Sequence, residues 1–206
     1  DPDRRRLVET LERNVVRLGD VAGKLERLAR LTRRSDTAPN DQSVDLGAVS
    51  RDVAGQLADM ADVRGVTFDI ADDLPHLTAD AGRVELVMMN LFANAVKYSD
   101  PAKPVRVVRV RCVAAASGPQ LRIEDNGIGI PAAQRAAIFE QFVRVHAHLD
   151  DELGSQGLGL GLSIVRECMD AMGGAVAVES AEGEGTTFVL TWPAGVWAAC
   201  RPADAP

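Results

Sequence analysis

The fold of this chain is decided by two pieces of sequence, LRIEDNGIGIP at residues 121–131 and GLGLGLSIVRECMDAMGG at residues 157–174. The first piece predicts a strand that runs into a glycine turn. Because alternate residues of a strand point to the same side, the carboxylate of Asp125 follows the apolar Leu121 and Ile123 onto one buried face. A carboxylate in such a place is costly unless a donor pairs with it. The strand end therefore predicts a hydrogen-bond acceptor inside a binding pocket.

The glycines of these two pieces indicate what the pocket could bind. Gly127 and Gly129 leave the main chain bare, so that a flat ligand could lie against it. Gly157, Gly159 and Gly161 stand at the start of the predicted second helix. There, unpaired N–H groups and the positive end of the helix dipole favour phosphate. An acceptor in a pocket together with an anion site predicts a nucleotide-binding site.

The composition excludes several classes of protein. With 206 residues, of which 46% are hydrophobic, the chain can bury a core of its own. A net charge of -7 without a dominant basic stripe argues against nucleic acid as a partner. The three cysteines form no CxxC pair, which is typical of reduced cytosolic thiols. Because no apolar run has the length of a membrane span and no signal peptide is visible, we expect a cytoplasmic domain. Its parent protein could carry sensor domains or a membrane anchor upstream of Asp1.

The chain divides into four predicted segments. Residues 1–36 carry apolar residues at near-heptad spacing, which predicts a long amphipathic helix. Such a helix could pack on the following domain or, as we favour, form part of a helical bundle or a dimer interface. Residues 37–44, which are polar and contain a proline, are predicted to be a linker. Residues 45–193 are predicted to be the globular domain and residues 194–206 a flexible tail.

The globular domain alternates helices with strands. Asp45 and Asp80 are placed to cap two helices. Alternating apolar residues predict strands that begin near Val66 and Leu121, and residues 176–191 predict a closing hairpin. This order predicts an α+β fold, a two-layer α/β sandwich with helices on one face of a mixed, largely antiparallel sheet.

A second group of polar residues lies on the helix that follows Asp80. Asn90, Asn94 and Lys97 are four and three residues apart and therefore share a face, with Tyr98 beside them. They could simply tie neighbouring loops together by hydrogen bonds. They could equally offer an ammonium to phosphates and an amide oxygen to Mg²⁺, which takes hard oxygen ligands and shares them with phosphates. The spacing alone does not separate these two interpretations.

Four motifs occur along the chain: VMMNLFANAVKYS at residues 87–99, EDNGIGIP at 124–131, IFEQFVRV at 138–145 and the glycine-rich run at 157–174. In this order and at this spacing they resemble the N box, the first glycine box, the F box and the second glycine box of sensor histidine kinases. The resemblance covers roughly residues 44–193, and a set of four motifs is far more specific than one glycine-rich turn. It implies the Bergerat-type ATP-binding fold that those kinases share with gyrase-type, chaperone-type and mismatch-repair ATPases.

The resemblance also implies a role for each matching position. Asp125 would accept a hydrogen bond from the exocyclic amine of adenine. Asn90, Asn94 and Lys97 would be the catalytic group: Asn94 would ligate Mg²⁺ between the phosphates of ATP, with Asn90 close by, and Lys97 would contact phosphate. Tyr98 would lie against the base or the sugar. The remaining positions would contact the nucleotide or belong to its lid: Gly127, Gly129, Ile130, Arg144, Gly157, Leu158, Gly159, Leu160, Gly161 and Thr187. For Thr187, an ordinary threonine of a strand is nearly as good an explanation. Two further residues, Phe139 and Phe142, would anchor the base of the lid.

The chain departs from the family at the phosphoacceptor. In the family, the accepting histidine stands in an H box on the first helix of the dimerisation domain, and none of His76, His146 and His148 stands in such a motif. We therefore expect the acceptor upstream of Asp1 or on another protein. Residues 1–36 resemble the second helix of that dimerisation domain, which implies a homodimer. The implied partner is the receiver domain of a response regulator, whose aspartate would take the phosphoryl group.

Two other functions remain as alternatives. In the related ATPases a glutamate one helical turn before the metal asparagine activates water, and anti-sigma-type serine kinases resemble them there. Asn90 stands at that position and cannot act as a general base, which argues against a serine kinase of that type. The second alternative is a degenerate kinase domain that binds nucleotide only as a switch or a docking module. The presence of Asn94 and Asp125 argues against it.

Overall fold

The computed structural model describes residues 41–115, 118–143, 145 and 159–197. The predicted helix of residues 1–36 lies outside the described residues and stays a prediction. The same holds for the lid positions Arg144, Gly157 and Leu158 and for the end of the predicted tail.

Strands and helices alternate along the described residues. The strands are β1 (Asp41–Asp45), β2 (Val66–Ile70), β3 (His76–Asp80), β4 (Arg106–Ala115), β5 (Gly118–Asp125), β6 (Ala175–Ala181) and β7 (Gly185–Thr191). The α-helices are α1 (Leu46–Gln56), α2 (Ala58–Arg64), α3 (Ala81–Lys97) and α4 (Gly161–Ala171). Short 3₁₀ turns occupy Ala132–Gln134 and Ala194–Val196.

Five strands form one sheet in the order β2–β4–β5–β7–β6. Strands β2 and β4 run parallel, whereas the other neighbouring pairs are antiparallel. Paired residues point to the same side of a sheet, so the register defines rows across it. One row on the side that we call the inner face consists of Phe68, Val108, Asp125, Thr186 and Ser180. The adjacent row on that face centres on the buried Ile123 and Phe188.

The helices cover the inner face. Helix α3 lies between α1 and α4 and packs against β4 and β5, while α4 packs against β6. Phe92 of α3 is fully buried and its ring stacks on that of Phe68, with centroids 5.2 Å apart. The side chain of Asp80 caps α3 by accepting from the N–H of Arg83, as predicted. This arrangement confirms the predicted two-layer sandwich. No helix within the described ranges combines the length and the apolar character needed to cross a lipid bilayer.

The ends of the globular domain extend beyond the predicted limits. Residues 41–44 of the predicted linker lie in β1, which pairs with β3. This strand was missed because Val44 is its one fully buried side chain. At the other end, the ring of Trp197 meets that of Trp192 edge to face with centroids 5.5 Å apart, and Trp197 forms a β-bridge with Leu77.

Charged side chains line the opposite side of the sheet, the outer face. Arg109 lies 3.1 Å from Glu124 and 3.7 Å from Asp69, and Arg111 lies 2.6 Å from Asp69. All four side chains are more than 40% exposed. Exposed pairs of this kind add little to stability, because water and salt screen the attraction between the charges. The outer face is therefore a solvated surface.

Candidate functional site

Asp125 ends β5 on the inner face, as its strand parity predicted. The N–H of Gly127 donates to its Oδ1 at 2.8 Å. Burial raises the pKa of the Asp125 carboxyl to about 6, although the backbone N–H groups of Gly127 and Thr186 and the charge of Lys103 act in the opposite direction. Above that pH the group is a carboxylate with lone pairs to spare. It can then accept a hydrogen bond from a ligand.

Thr186, and not Thr187, is the threonine beside Asp125. The strand register pairs Asp125 with Thr186, so that Thr187 points to the outer face, away from Asp125. The assignment of Thr187 to the pocket is therefore corrected by one residue. Thr186 is buried, and its Oγ1 lies 3.0 Å from Oγ of Ser180. The signal for Thr186 was present in the strand, because it shares its parity with the core residue Phe188.

Ser180 connects three segments around the site. Its Oγ accepts from the N–H of Ile130 at 2.8 Å and donates to the carbonyl oxygen of Gly185 at 2.6 Å. These bonds hold Ile130, a predicted site residue that is buried, against the turn between β6 and β7. Ser180 was not among the predicted site residues, because a serine in an alternating strand belongs to no motif.

The residues from Asn126 to Ile130 form the glycine turn, which docks on two backbone segments. A side-chain carbon at Gly127 would lie 2.3 Å from the carbonyl oxygen of Tyr98, and one at Gly129 would lie 1.9 Å from that of Ala181. The N–H of Ile128 donates to the same Tyr98 oxygen at 3.0 Å. These glycines are thus required for the packing of the turn. Their predicted contact with a ligand stays a prediction.

The polar residues of α3 are brought to the end of the helix that meets the glycine turn. Asn90 donates its Nδ2 proton to the carbonyl of Leu86 at 2.8 Å, and this bond to its own helix leaves its Oδ1 as the outward acceptor. Lys97 places Nζ 4.9 Å from the centre of the Tyr98 ring, a cation–π distance. Asn94 is half-buried one turn beyond Asn90. Their arrangement gives this end of α3 both acceptors and a positive charge.

The start of α4 faces this end of α3. A side-chain carbon at Gly161 would lie 2.9 Å from Oδ1 of Asn90, so that the two helices approach closely there. The N-cap residue of α4 is the buried Leu160, whose side chain has no atom that could accept from the first turn. Gly159 has a φ of 71°, and its carbonyl accepts from the N–H of Phe142 at 3.0 Å. Of the described glycine-box residues, Gly161 therefore approaches Asn90, whereas Gly159 meets the end of the F box at Phe142.

The two phenylalanines of the F box differ in their surroundings. Phe139 is buried and meets the ring of Phe188 edge to face with centroids 6.4 Å apart. Phe142 is 70% exposed and has a φ of 66°. The prediction that Phe142 anchors the lid base by packing is wrong, because this backbone conformation leaves the ring in solvent.

The donor groups around α3 fit a cation only when a ligand supplies part of the coordination. Across the residues that the structure describes, no group of three or more His, Cys, Asp and Glu side chains could hold a metal ion. Asn94 offers a hard amide oxygen. Mg²⁺ retains several waters and is usually bound through one or two protein ligands together with phosphates. The site therefore fits Mg²⁺ that arrives with a nucleotide.

Comparison with known proteins identifies a family model and named relatives. Residues 79–196 match the family described as histidine kinase-, DNA gyrase B-, and HSP90-like ATPase. The adaptive-response sensory kinase SasA of Prochlorococcus marinus (strain MIT 9215) is 32% identical over 160 residues, which are 77% of this chain and 41% of that protein. The chain thus spans about two fifths of the length of this curated relative.

Two solved structures resemble the chain. Full-length ShkA in complex with AMPPNP matches with a TM-score of 0.63 and 32% identity, over 80% of this chain and 33% of that one. A mycobacterial sensor histidine kinase, MprB, matches with a TM-score of 0.60 and 27% identity, over 74% of this chain and 97% of that one. Both likenesses include the two-layer fold described above.

Proposed function

Because this chain belongs to the family of histidine kinase-, DNA gyrase B- and HSP90-like ATPases, whose model matches more than half of it, we propose that it is the ATP-binding catalytic part of a two-component sensor histidine kinase. Membership of this family confirms the resemblance drawn from the four motifs. The observation that carries the proposal is Asp125, a half-buried and largely desolvated acceptor held beside the glycine turn. The names of the relatives, a sensory kinase and a sensor histidine kinase, support the same function.

The adenine base is proposed to bind between the inner face and the glycine turn. Asp125 accepts from the exocyclic amine of the base, and its remaining lone pairs and its ionisation above pH 6 support this role. Thr186 is buried in the same row and replaces Thr187 as the threonine of the pocket. The glycine turn borders the base, and it packs closely against Tyr98 and Ala181 because Gly127 and Gly129 carry no side chain. Tyr98 stands at the edge of this pocket, where the glycine turn docks on it.

The phosphates are proposed to lie between the end of α3 and the start of α4. Lys97 supplies a positive charge, and the first N–H groups of α4 favour an anion. Mg²⁺, with Asn94 as its protein ligand, would neutralise charge that develops on the phosphates. Asn90 holds its Oδ1 next to Gly161, which fixes the spacing between the two helices.

The absence of a carboxylate at position 90 is proposed to direct the phosphoryl group to a protein. An amide cannot remove a proton from water, so hydrolysis of ATP is slow. Phosphoryl transfer then depends on positioning and on stabilisation of charge. The acceptor is a histidine of a dimerisation domain, and the phosphoryl group passes from it to an aspartate of a response regulator. We place this domain in the cytoplasm and expect it to act within a homodimer.

The position of the pocket threonine can be tested with a matched pair of substitutions. Thr186→Val removes a hydroxyl from the row of Asp125, and we expect it to weaken ADP binding about fivefold, which corresponds to one lost hydrogen bond of about 1 kcal/mol. Thr187→Val changes the outer face, and we expect no change in affinity. Calorimetric titration with ADP measures both. Equal effects of the two substitutions would place the base elsewhere.

The proposed reaction is tested by labelling with γ-labelled ATP and Mg²⁺. The complete gene product that contains this chain should take up label that is lost in acid and survives base, as expected for phosphohistidine. An Asn94→Ala variant should bind the labelled ATP poorly and should not become phosphorylated. Label that survives acid would indicate a hydroxyl acceptor and a serine kinase. Binding of ATP without any labelling would indicate a nucleotide-dependent switch.

A further inference from the structure

The ammonium group of Lys103 lies in a cage of backbone carbonyl oxygens. Its Nζ donates to the carbonyls of Asn126 and Gly183, each at 2.7 Å. The carbonyl oxygens of Gly127 and Glu184 lie 3.3 and 3.4 Å from the same nitrogen. Lys103 belongs to none of the predicted site residues, because backbone carbonyls leave no trace in a sequence motif.

The four carbonyls come from two turns that are far apart in the sequence. Asn126 and Gly127 begin the glycine turn directly after β5, and Gly183 and Glu184 form the turn between β6 and β7. A single backbone hydrogen bond of 2.8 Å, from the N–H of Gly183 to the carbonyl of Ile128, also connects the two turns. The lysine therefore bridges the two backbone segments that border the proposed adenine pocket.

The segment that carries Lys103 is itself fixed. Arg106 donates from Nε to the carbonyl of Asp100 at 2.9 Å and from Nη2 to that of Pro101 at 2.8 Å. The N–H of Ala102 donates to Oδ1 of Asp100 at 2.9 Å. The ammonium thus reaches the cage from a backbone that is already held in place. Ordering the lysine side chain therefore costs little additional conformational entropy.

We propose that Lys103 is a positioning residue of the nucleotide site, whose ammonium acts as a built-in monovalent cation that holds the glycine turn against the β6–β7 turn. This inference rests on the proposed function, because the two turns matter for binding only if adenine lies on Asp125. Lys103 touches neither base nor phosphate in this role. It acts through the backbone on which Asp125 and Gly127 depend.

Electrostatics explain why the cage requires a cation. Four carbonyl oxygens that converge on one point repel each other, and proteins use such groups to replace the hydration shell of K⁺. An ammonium group has three donors and no acceptor, and bonds from a charged donor are roughly twice as strong as neutral ones. Without the charge the two turns are expected to separate. The Gly127 N–H would then move away from Oδ1 of Asp125, to which it donates at 2.8 Å.

The test compares Lys103→Ala with Lys103→Met by calorimetric titration of residues 1–206 with ADP. It is carried out in choline, ammonium or potassium chloride at equal ionic strength. In choline chloride both variants should bind ADP about tenfold more weakly than the wild type, a change worth about 1.4 kcal/mol. Ammonium or potassium should raise the affinity of Lys103→Ala for ADP at least threefold over its value in choline, since the shortened side chain leaves room for the ion. Neither salt should restore Lys103→Met, whose side chain fills that room.

A control variant and the wild type separate failure of the Lys103 proposal from failure of the proposed nucleotide site. Arg122→Met removes a cation from the outer face, where Arg122 contacts Glu179, and should leave the affinity for ADP unchanged. Absence of ADP binding by the wild type would reject the proposed nucleotide site itself. If the wild type binds ADP, two results would overturn the role of Lys103. One is a normal affinity of Lys103→Ala for ADP. The other is a loss of affinity that ammonium and potassium restore no better than choline. The Lys103→Met variant keeps the stem of the side chain and decides the question if Lys103→Ala fails to fold.

Discussion

Replacement of Asp125 by Asn is expected to abolish measurable ADP binding while the domain remains folded. The amide keeps an oxygen that can accept from the N–H of Gly127, which now donates to the carboxylate at 2.8 Å. Its other end becomes a donor and would face the donor amine of adenine. A buried polar group left without a partner costs about 1–3 kcal/mol, and here two donors would meet. We expect a loss of affinity of about 100-fold or more, measured by calorimetric titration.

The base itself provides the sharpest control for this substitution. Inosine diphosphate carries a carbonyl oxygen where ADP carries the exocyclic amine. The wild type should therefore prefer ADP over inosine diphosphate, whereas Asp125→Asn should lose this preference or reverse it. Unchanged affinity for ADP in Asp125→Asn would remove Asp125 from the adenine role.

The same substitution should change how stability depends on pH. Because burial raises the pKa of Asp125 to about 6, the folded state holds its proton more tightly than the unfolded state, whose pKa is about 3.9. The native state then binds more protons between these two values, so this group makes stability fall as pH rises from about 4 to 6. Above pH 6 the cost is about 3 kcal/mol, since one pKa unit corresponds to 1.36 kcal/mol.

Urea unfolding at pH 5 and pH 7.5 measures this dependence. We expect Asp125→Asn to be at least as stable as the wild type at pH 7.5, because it carries no buried charge. Its advantage should shrink at pH 5, where the wild-type carboxyl is mostly protonated. An advantage that is the same at both pH values would mean that the pKa of the Asp125 carboxyl is not raised by desolvation. Loss of binding together with retained stability is the signature of a residue kept for its ligand.

Local sequence rules were sufficient for the cap of α3 and for the acceptor. Capping by Asp80 and the alternation that leads to Asp125 involve residues a few positions apart, and both predictions are confirmed by the structure. The set of motifs identified the family, which the comparison confirms. Thr187 was misplaced because a motif match tolerates a shift of one residue, whereas the face of a strand does not.

Other parts of the site could not be predicted because they depend on pairing between distant segments. Strand β1 is recognised by its partner β3 and not by its own side chains, which are mostly exposed. Ser180 obtains its role from Ile130, fifty positions away. The cage around Lys103 consists of backbone carbonyls from two turns. Contacts of this kind follow from the tertiary fold, and no spacing in the sequence records them.

Replacement of Gly129 by Ala should be among the most damaging single substitutions in the domain. Gly129 has a φ of 72°, which costs an L-residue about 1–2 kcal/mol. The added carbon would also lie 1.9 Å from the carbonyl oxygen of Ala181 and 2.7 Å from its carbon. Both are backbone atoms that cannot rotate away, and overpacking of this kind typically costs a further 1–3 kcal/mol. We expect a total loss of about 4 kcal/mol in the free energy of unfolding, measured with urea.

Two other glycines separate the conformational cost from the steric cost. Gly183 has a φ of 79°, but a side-chain carbon there would meet nothing within 4 Å, so Gly183→Ala should cost about 1–2 kcal/mol. Gly195 has open space, and its φ is not positive, so Gly195→Ala should change stability by less than about 0.5 kcal/mol. If Gly129→Ala costs no more than Gly183→Ala, the glycine turn does not rest on Ala181.

Addition of ADP extends this series from packing to binding. A ligand that binds only the folded state raises stability by an amount that depends on its affinity. Saturating ADP should therefore stabilise the wild type and Gly195→Ala by nearly equal amounts. In Gly129→Ala the displaced turn would move Gly127 away from the carboxylate of Asp125, to which its N–H donates, and the gain from ADP should shrink as well. A full gain in that variant would mean that the turn supports the fold but not the base, and that Gly127 alone positions the acceptor.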